Sequence, residues 1–262
     1  MHFTTFEGVQ VGYRKNGEGP ALVLVHGTGG DGVGNWEDVT KELSKEFEVI
    51  RPDCSGSGHT EDDGRDLTVG YFAAQVLAAV DHAGIQRFAL VGFSLGAAVA
   101  AHIAAAHSER ISALVLISGF AKPDPRLKVQ FELWRDLIRS DREAMARLVL
   151  LTGFSPDGLS SWGFEGVEQA VRNMVETQNW DGMSRQTEVD LALDVDDALK
   201  RIEAPTLVVG GSHDHMVPPA HAKSLAASIS GASYLELPTG HLAPIESPDL
   251  IAETINVFLS SA

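Results

Sequence analysis

The chain has 262 residues, 44% hydrophobic and 21% charged, with a formal net charge of −16 at pH 7. That balance describes one folded globular domain with room for an insertion, and it excludes disordered and repeat architectures. The acidic excess repels phosphate backbones and anionic bilayers, and no apolar run approaches the roughly 20 residues that cross a membrane, so neither nucleic acid nor membrane is an expected partner.

From the N-terminus, "MHFTTFEGVQ" has neither a basic nor an apolar leader region, and the single cysteine, Cys54, allows no intrachain disulfide. The expected location is cytoplasmic. Short strands are predicted at "FTTF", "VQVGY" and "ALVLVH", the "NGEG" turn suggesting a hairpin and an antiparallel edge. Next come a helix at "WEDVTKELSK", a strand at "FEVIRP" and a helix at "TVGYFAAQVLAAVDHAG", whose last glycine reads as a cap. "RFALVG" then runs into the helix "LGAAVAAHIAAAH", and "ISALVLIS" follows. From 121 to 200 there is no convincing strand, only helical stretches such as "LKVQFELWRDLIR" and "REAMARLVLL" separated by "GFSPDGLSSWGFEG". Strand and helix alternate again through "PTLVVG", "PAHAKSLAASI", "SYLELP" and "SPDLIAETINVFLSS". Several strands are Val/Ile/Leu-rich without alternation, as strands covered on both faces are. The pattern predicts an α/β fold, with a mostly parallel central sheet of about eight strands and helices on both faces. Residues 1–120 and 201–262 would form the core, and 121–200 a helical cap.

Ligands of open parallel sheets bind beyond the carboxyl ends of the strands, which is where "FALV" ends at Ser94. Gly92 and Gly96 flank that serine and permit an abrupt strand-to-helix turn that leaves the hydroxyl exposed. The amide of Leu95, opening the next helix, faces the same space and suits a developing oxyanion. Serine needs a base, and the base an orienting carboxylate. His241 in "LPTGHLAP" and Asp214 in "GGSHDHMVP" each follow a predicted strand and supply one of each. Asp194 and the other acids between 190 and 197 lack that placement. His213-Asp214-His215 has no metal-ligand spacing, so no metal or other cofactor is expected. Cys54 has no histidine and acid arranged for it and reads as an ordinary thiol.

Serine, aspartate and histidine in that chain order resemble the α/β-hydrolase family. "LVLVHGTGG", "RPDCSGSGHT", "VGFSLGAAVA", "GSHDHMVPP" and "GHLAPIESPD" are similar to its oxyanion-loop strand, D-x-x-G-x-G loop, nucleophile elbow, acid segment and histidine segment. The resemblance spans about Phe3 to Phe258, with 121–200 matching the variable cap only in position. It implies a second oxyanion donor at the Thr28 amide and a structural role for His26 beneath that loop. Ser94 in place of aspartate argues against dehalogenases and epoxide hydrolases of this fold.

The implied activity is cleavage of a small apolar ester or lactone through an acyl-enzyme on Ser94, as in carboxylesterases, enol-lactonases and cofactor-free perhydrolases. "HGTGGDGVGNW" is also similar to the carbon–carbon bond hydrolases of the fold, which usually place tryptophan after the histidine, where Leu242 stands here; that alternative stays open. A biosynthetic acyltransferase or cyclase, or a small-molecule receptor with an intact triad, stays open. Trp134, Trp162 and Trp180, three of the four tryptophans, fall in the insertion and are expected to bind substrate there or to pack its core.

Overall fold

The computed structural model describes residues 1–261. Its elements run β1 (His2–Phe6), β2 (Val9–Asn16), β3 (Ala21–Val25), α1 (Glu37–Leu43), β4 (Glu48–Pro52), α2 (Val69–His82), β5 (Phe88–Phe93), α3 (Leu95–Ala106) and β6 (Ile111–Ile117). Six helices follow without a strand: α4 (Pro125–Ser140), α5 (Arg142–Gly153), α6 (Pro156–Ser161), α7 (Gly163–Thr177), α8 (Trp180–Ala192) and α9 (Asp196–Leu199). The chain then closes with β7 (Thr206–Gly211), α10 (Pro219–Ser228), β8 (Ser233–Leu237), α11 (Ala243–Glu246) and α12 (Pro248–Leu259). No helix among the described residues is long and apolar enough to cross a membrane.

All eight strands form one sheet in the order β1-β2-β4-β3-β5-β6-β7-β8. β2 is antiparallel to both neighbours, and β3 through β8 run parallel. The expected hairpin at "NGEG" is not there. β4 lies between β2 and β3, because the chain leaves β3 through α1 and returns in parallel on that side. The tight hairpin is instead β1-β2, turned by Glu7 (φ 48°) and Gly8 (φ 85°).

One apolar layer, including Val76, Val80, Ile103 and Leu114, packs α2 and α3 on one face of the sheet; another, including Trp36, Val39, Ile251 and Ile255, packs α1 and α12 on the other. Central strands β5 and β7 are buried at every position, which is why their sequences do not alternate. The "GFSPDGLSSWGFEG" stretch is more helical than its glycines suggest. Ser155 caps α6 by accepting from the Gly158 amide, and Pro156 takes the first turn, where its missing N–H costs nothing.

Ser94 marks the sharpest turn in the sheet, with φ 54° and ψ −120°. The helix behind it lies so close to β3 that a Cβ on Gly96 would stand 2.4 Å from the Val25 carbonyl oxygen and 2.5 Å from that of His26. Both are backbone atoms of the sheet's centre and its exit loop, so neither can swing aside. Gly96→Ala is therefore expected to cost at least about 1–3 kcal/mol, read as a lower urea midpoint at unchanged slope. A variant that unfolds with wild-type stability would show that α3 stands off from β3 in solution.

Candidate active site

Three strand ends converge on Ser94. The serine follows β5, Asp214 lies in the loop after β7, and His241 lies after β8. His241 Nε2 is 3.0 Å from Ser94 Oγ, and its Nδ1 is 2.8 Å from Asp214 Oδ2. Since a carboxylate only accepts, Nδ1 carries the proton and Nε2 is left to accept from the serine hydroxyl. Asp214 is itself held by the amides of Met216 (2.9 Å) and Val217 (2.7 Å) on Oδ1. His241 and Asp214 are both buried, and the Phe93 ring packs against the imidazole with centroids 5.2 Å apart. Asp194, by contrast, is exposed and paired with Lys122 at 2.6 Å.

The 27–30 loop lies against the serine, a notional Gly27 Cβ falling 3.0 Å from Ser94 Cβ. It brings Thr28 to the same cavity as Ser94, while Leu95 opens α3 directly beneath. His26 supports this loop. It accepts from the Cys54 amide at Nε2 (3.0 Å), and Nδ1 donates to the Gly27 carbonyl (2.8 Å). Asn35 Oδ1 accepts from the Gly27 amide at 3.0 Å. Cys54 is buried, and desolvation with neighbouring Asp53 pushes its thiol far above the ordinary range, which keeps it protonated. His102, on α3, sits away from this line and is held below the ordinary imidazole range by burial.

A cavity of about 220 Å³ opens on the serine, walled mainly by apolar side chains including Val149, Met174, Met183, Met216, Leu242 and Ile245. Of the three insertion tryptophans only Trp134 reaches it. Trp180 is buried elsewhere in the core, its Nε1 donating to the Val175 carbonyl at 3.1 Å. Trp162, 38% exposed at the start of α7, packs edge-on against Phe154 with centroids 4.6 Å apart. Trp162 and Trp180, expected either to bind substrate or to pack the insertion, do not line this cavity and meet other inserted-helix residues instead.

Sequence reasoning missed the polar seam between α8 and the 27–30 loop. Gln186 Oε1 accepts from the Gly29 amide (2.8 Å), Gln178 Nε2 donates to the Gly29 carbonyl (3.0 Å), and Asp190 Oδ2 lies 2.6 Å from Thr28 Oγ1. No local pattern signals contacts between residues 149 to 162 positions apart. Asp190 is 1% exposed, and its Oδ1 has no partner among the described residues. Burial pushes its carboxyl up to about 8, opposed only by the Thr28 hydrogen bond.

A hydroxyl, an imidazole and a carboxylate in one hydrogen-bonded line at the carboxyl edge of a parallel sheet define a class of hydrolytic folds. The family model described as "alpha/beta hydrolase fold" matches residues 20–248, and the chain belongs to that family. It is 52% identical over 253 residues to pyrrolizixenacetamide deacetylase of Xenorhabdus hominickii, covering 96% of this chain and 95% of that one. Its fold matches the enol-lactonase of Burkholderia xenovorans LB400 with a TM-score of 0.87 at 29% identity, over 99% and 100% of the two chains. A thermophilic esterase from Thermogutta terrifontis gives 0.85 at 25% identity, over 99% and 96%.

Two outcomes are expected from this geometry. Trp134→Leu should change the order of preference among acyl chain lengths in an ester panel, while Trp162→Ala leaves that order as in wild type, since only the first ring walls the cavity. Separately, native Asp190 keeps its proton to about pH 8, whereas the unfolded chain releases it near an ordinary value of about 4. The native state then binds more protons across that window, so the stability from this group is fully present below about pH 4 and is lost as pH rises through about 8. Asp190→Asn should therefore gain thermal stability relative to wild type progressively from pH 5 to 9; a constant difference across that range would contradict it.

Proposed function

We propose that the chain is a serine hydrolase that removes a short acyl group from a small apolar ester, lactone or amide, with residues 121–200 as the cap that shapes the acyl pocket. The observation that carries this reading is the line Asp214–His241–Ser94, with distances of 2.8 and 3.0 Å, opening on an apolar cavity. At about 220 Å³ that cavity is smaller than the roughly 300–1,000 Å³ of sites that enclose drug-sized ligands, which favours a short acyl chain. The 52% identity to a protein named as an acetamide deacetylase extends the reading from esters and lactones to amides.

In this mechanism Ser94 Oγ adds to the substrate carbonyl carbon as its proton passes to His241 Nε2. The carbonyl oxygen becomes an oxyanion held by the amides of Leu95 and Thr28, while ionised Asp214 stabilises the imidazolium. Collapse of this intermediate breaks the bond to the alcohol or amine, which takes the proton from His241. Water then repeats the sequence on the acyl-serine, His241 accepting its proton, and the acid is released with Ser94 regenerated. The strained turn at Ser94 keeps the hydroxyl aimed at the carbonyl throughout.

The test is a panel of acetyl to hexanoyl esters, anilides and lactones, with intact-protein mass spectrometry during turnover. The expected result is many turnovers per chain, a transient mass increase equal to the acyl group on Ser94, and a loss of roughly 10³-fold or more in Ser94→Ala. Near-normal turnover by that variant would sink the assignment. A single slow burst followed by silence would instead favour a receptor.

A further inference from the structure

Asp190 is a fully buried carboxyl beside the site that the proposed mechanism does not use. Its only partner among the described residues is Thr28 Oγ1 at 2.6 Å, and Thr28 lines the cavity that holds Ser94. Its other oxygen has no partner among the described residues, an arrangement that costs stability in a protein interior. A structural tie from the inserted helices to the 27–30 loop does not need it, because Gln186 of α8 and Gln178 at the end of α7 already bind both backbone polar groups of Gly29. Nor does a cation hold it there. Arg135 and Arg139 on α4 lie 3.9 and 4.0 Å from Glu188, and Arg185 of α8 is 3.1 Å from Asp62. In the loop, Asp31 accepts from the Val33 and Gly34 amides; across the cavity, His241 and Asp214 are committed to each other.

A distance of 2.6 Å suits donation in either direction between a carboxyl and a hydroxyl. If the carboxyl is ionised, Thr28 must donate to it and can offer only lone pairs to the cavity. If the carboxyl is neutral, the proton has one available acceptor, Thr28 Oγ1, since Oδ1 faces none. We propose that Asp190 is a positioning residue: as a neutral acid it donates to Thr28 Oγ1 and so turns the Thr28 O–H into the cavity, as a third donor to the oxyanion beside the amide of the same residue. This rests on the acyl-transfer reading above and adds to it a requirement for one protonated carboxyl. Burial without a neighbouring cation keeps Asp190 protonated up to about pH 8. Ionisation then both reverses the Thr28 hydroxyl and places a negative charge next to the site where the oxyanion forms, and each change opposes the transition state.

The experiment is kcat/KM for an acetyl ester from pH 6 to 10 with wild type, Asp190→Asn and Thr28→Val, with hydrolysis in protein-free buffer subtracted and Ser94→Ala run in parallel. Wild type should fall on the order of tenfold between pH 7 and 9.5, through a single ionisation near 8. Asp190→Asn, whose amide donates to Thr28 at every pH, should have a lower plateau but fall less than about threefold over the same range. Thr28→Val should lose on the order of tenfold in plateau kcat rather than KM, and its basic limb should shrink to less than about threefold, the part that the Asp190 charge alone produces. A wild-type profile that stays flat to pH 9.5 overturns the proposal, as does an unchanged basic limb in Asp190→Asn. Should that variant fail to fold by circular dichroism, a basic limb of full wild-type size in Thr28→Val overturns it equally. Turnover surviving in Ser94→Ala is a separate result and strikes the acyl-transfer reading itself.

Discussion

The contact between Gly96 and the carbonyl oxygens at the end of β3 constrains the rest of the site. With no side chain at that position, α3 starts almost on top of the sheet, and a Cβ on Gly92 would likewise meet the Gly96 carbonyl at 2.2 Å. The chain can make that approach only by passing Ser94 through φ 54°. Strain at one residue is thereby exchanged for a hydroxyl that stands above the sheet edge without a flexible loop to carry it. Everything else is assembled to meet that fixed point: the loop after β8 brings the imidazole, the loop after β7 orients it, and the loop after β3 faces it from the other side.

Rigidity is distributed unevenly across this assembly. The imidazole and its carboxylate are buried and tied to backbone amides within the sheet's own loops. The 27–30 loop is shared. Asn35 and His26 hold it from the core, while Gln178, Gln186 and Asp190 hold it from the inserted helices. The close approach of α8 at Gly182 to Gly56, together with the Asn179 side-chain bond to the Gly56 carbonyl (3.1 Å), presses the same helix onto the neighbouring loop. The insertion is consequently part of the wall of the site and not only a cover over it, so changes in α8 propagate to the loop that faces Ser94.

Legibility in the sequence followed the range of the interactions. The strand-to-helix turn was legible because a serine with a glycine two positions to either side is a local requirement, and Asp214 and His241 because each follows an apolar strand bounded by turn residues. The β2-β4-β3 order was not, since which strand lies next to which depends on the path of α1, and "NGEG" closes nothing by itself. The tryptophans were ambiguous for a related reason. Trp134 and Trp180 are equally apolar and nearly equally buried at 4% exposure, yet only the first faces the cavity.

What the amino-acid sequence determined by itself was the layered α/β architecture and the positions of the Ser94 turn, Asp214 and His241 at strand ends, because these rest on periodicity and on short-range backbone sterics. What only the tertiary structure decided was the wall of the cavity and the state of Asp190. On paper that residue is one more aspartate in an acidic stretch. In the fold it is a buried carboxyl with a single partner 162 positions away, and its burial and its contact with Thr28 exist only once α8 has docked on the loop after β3.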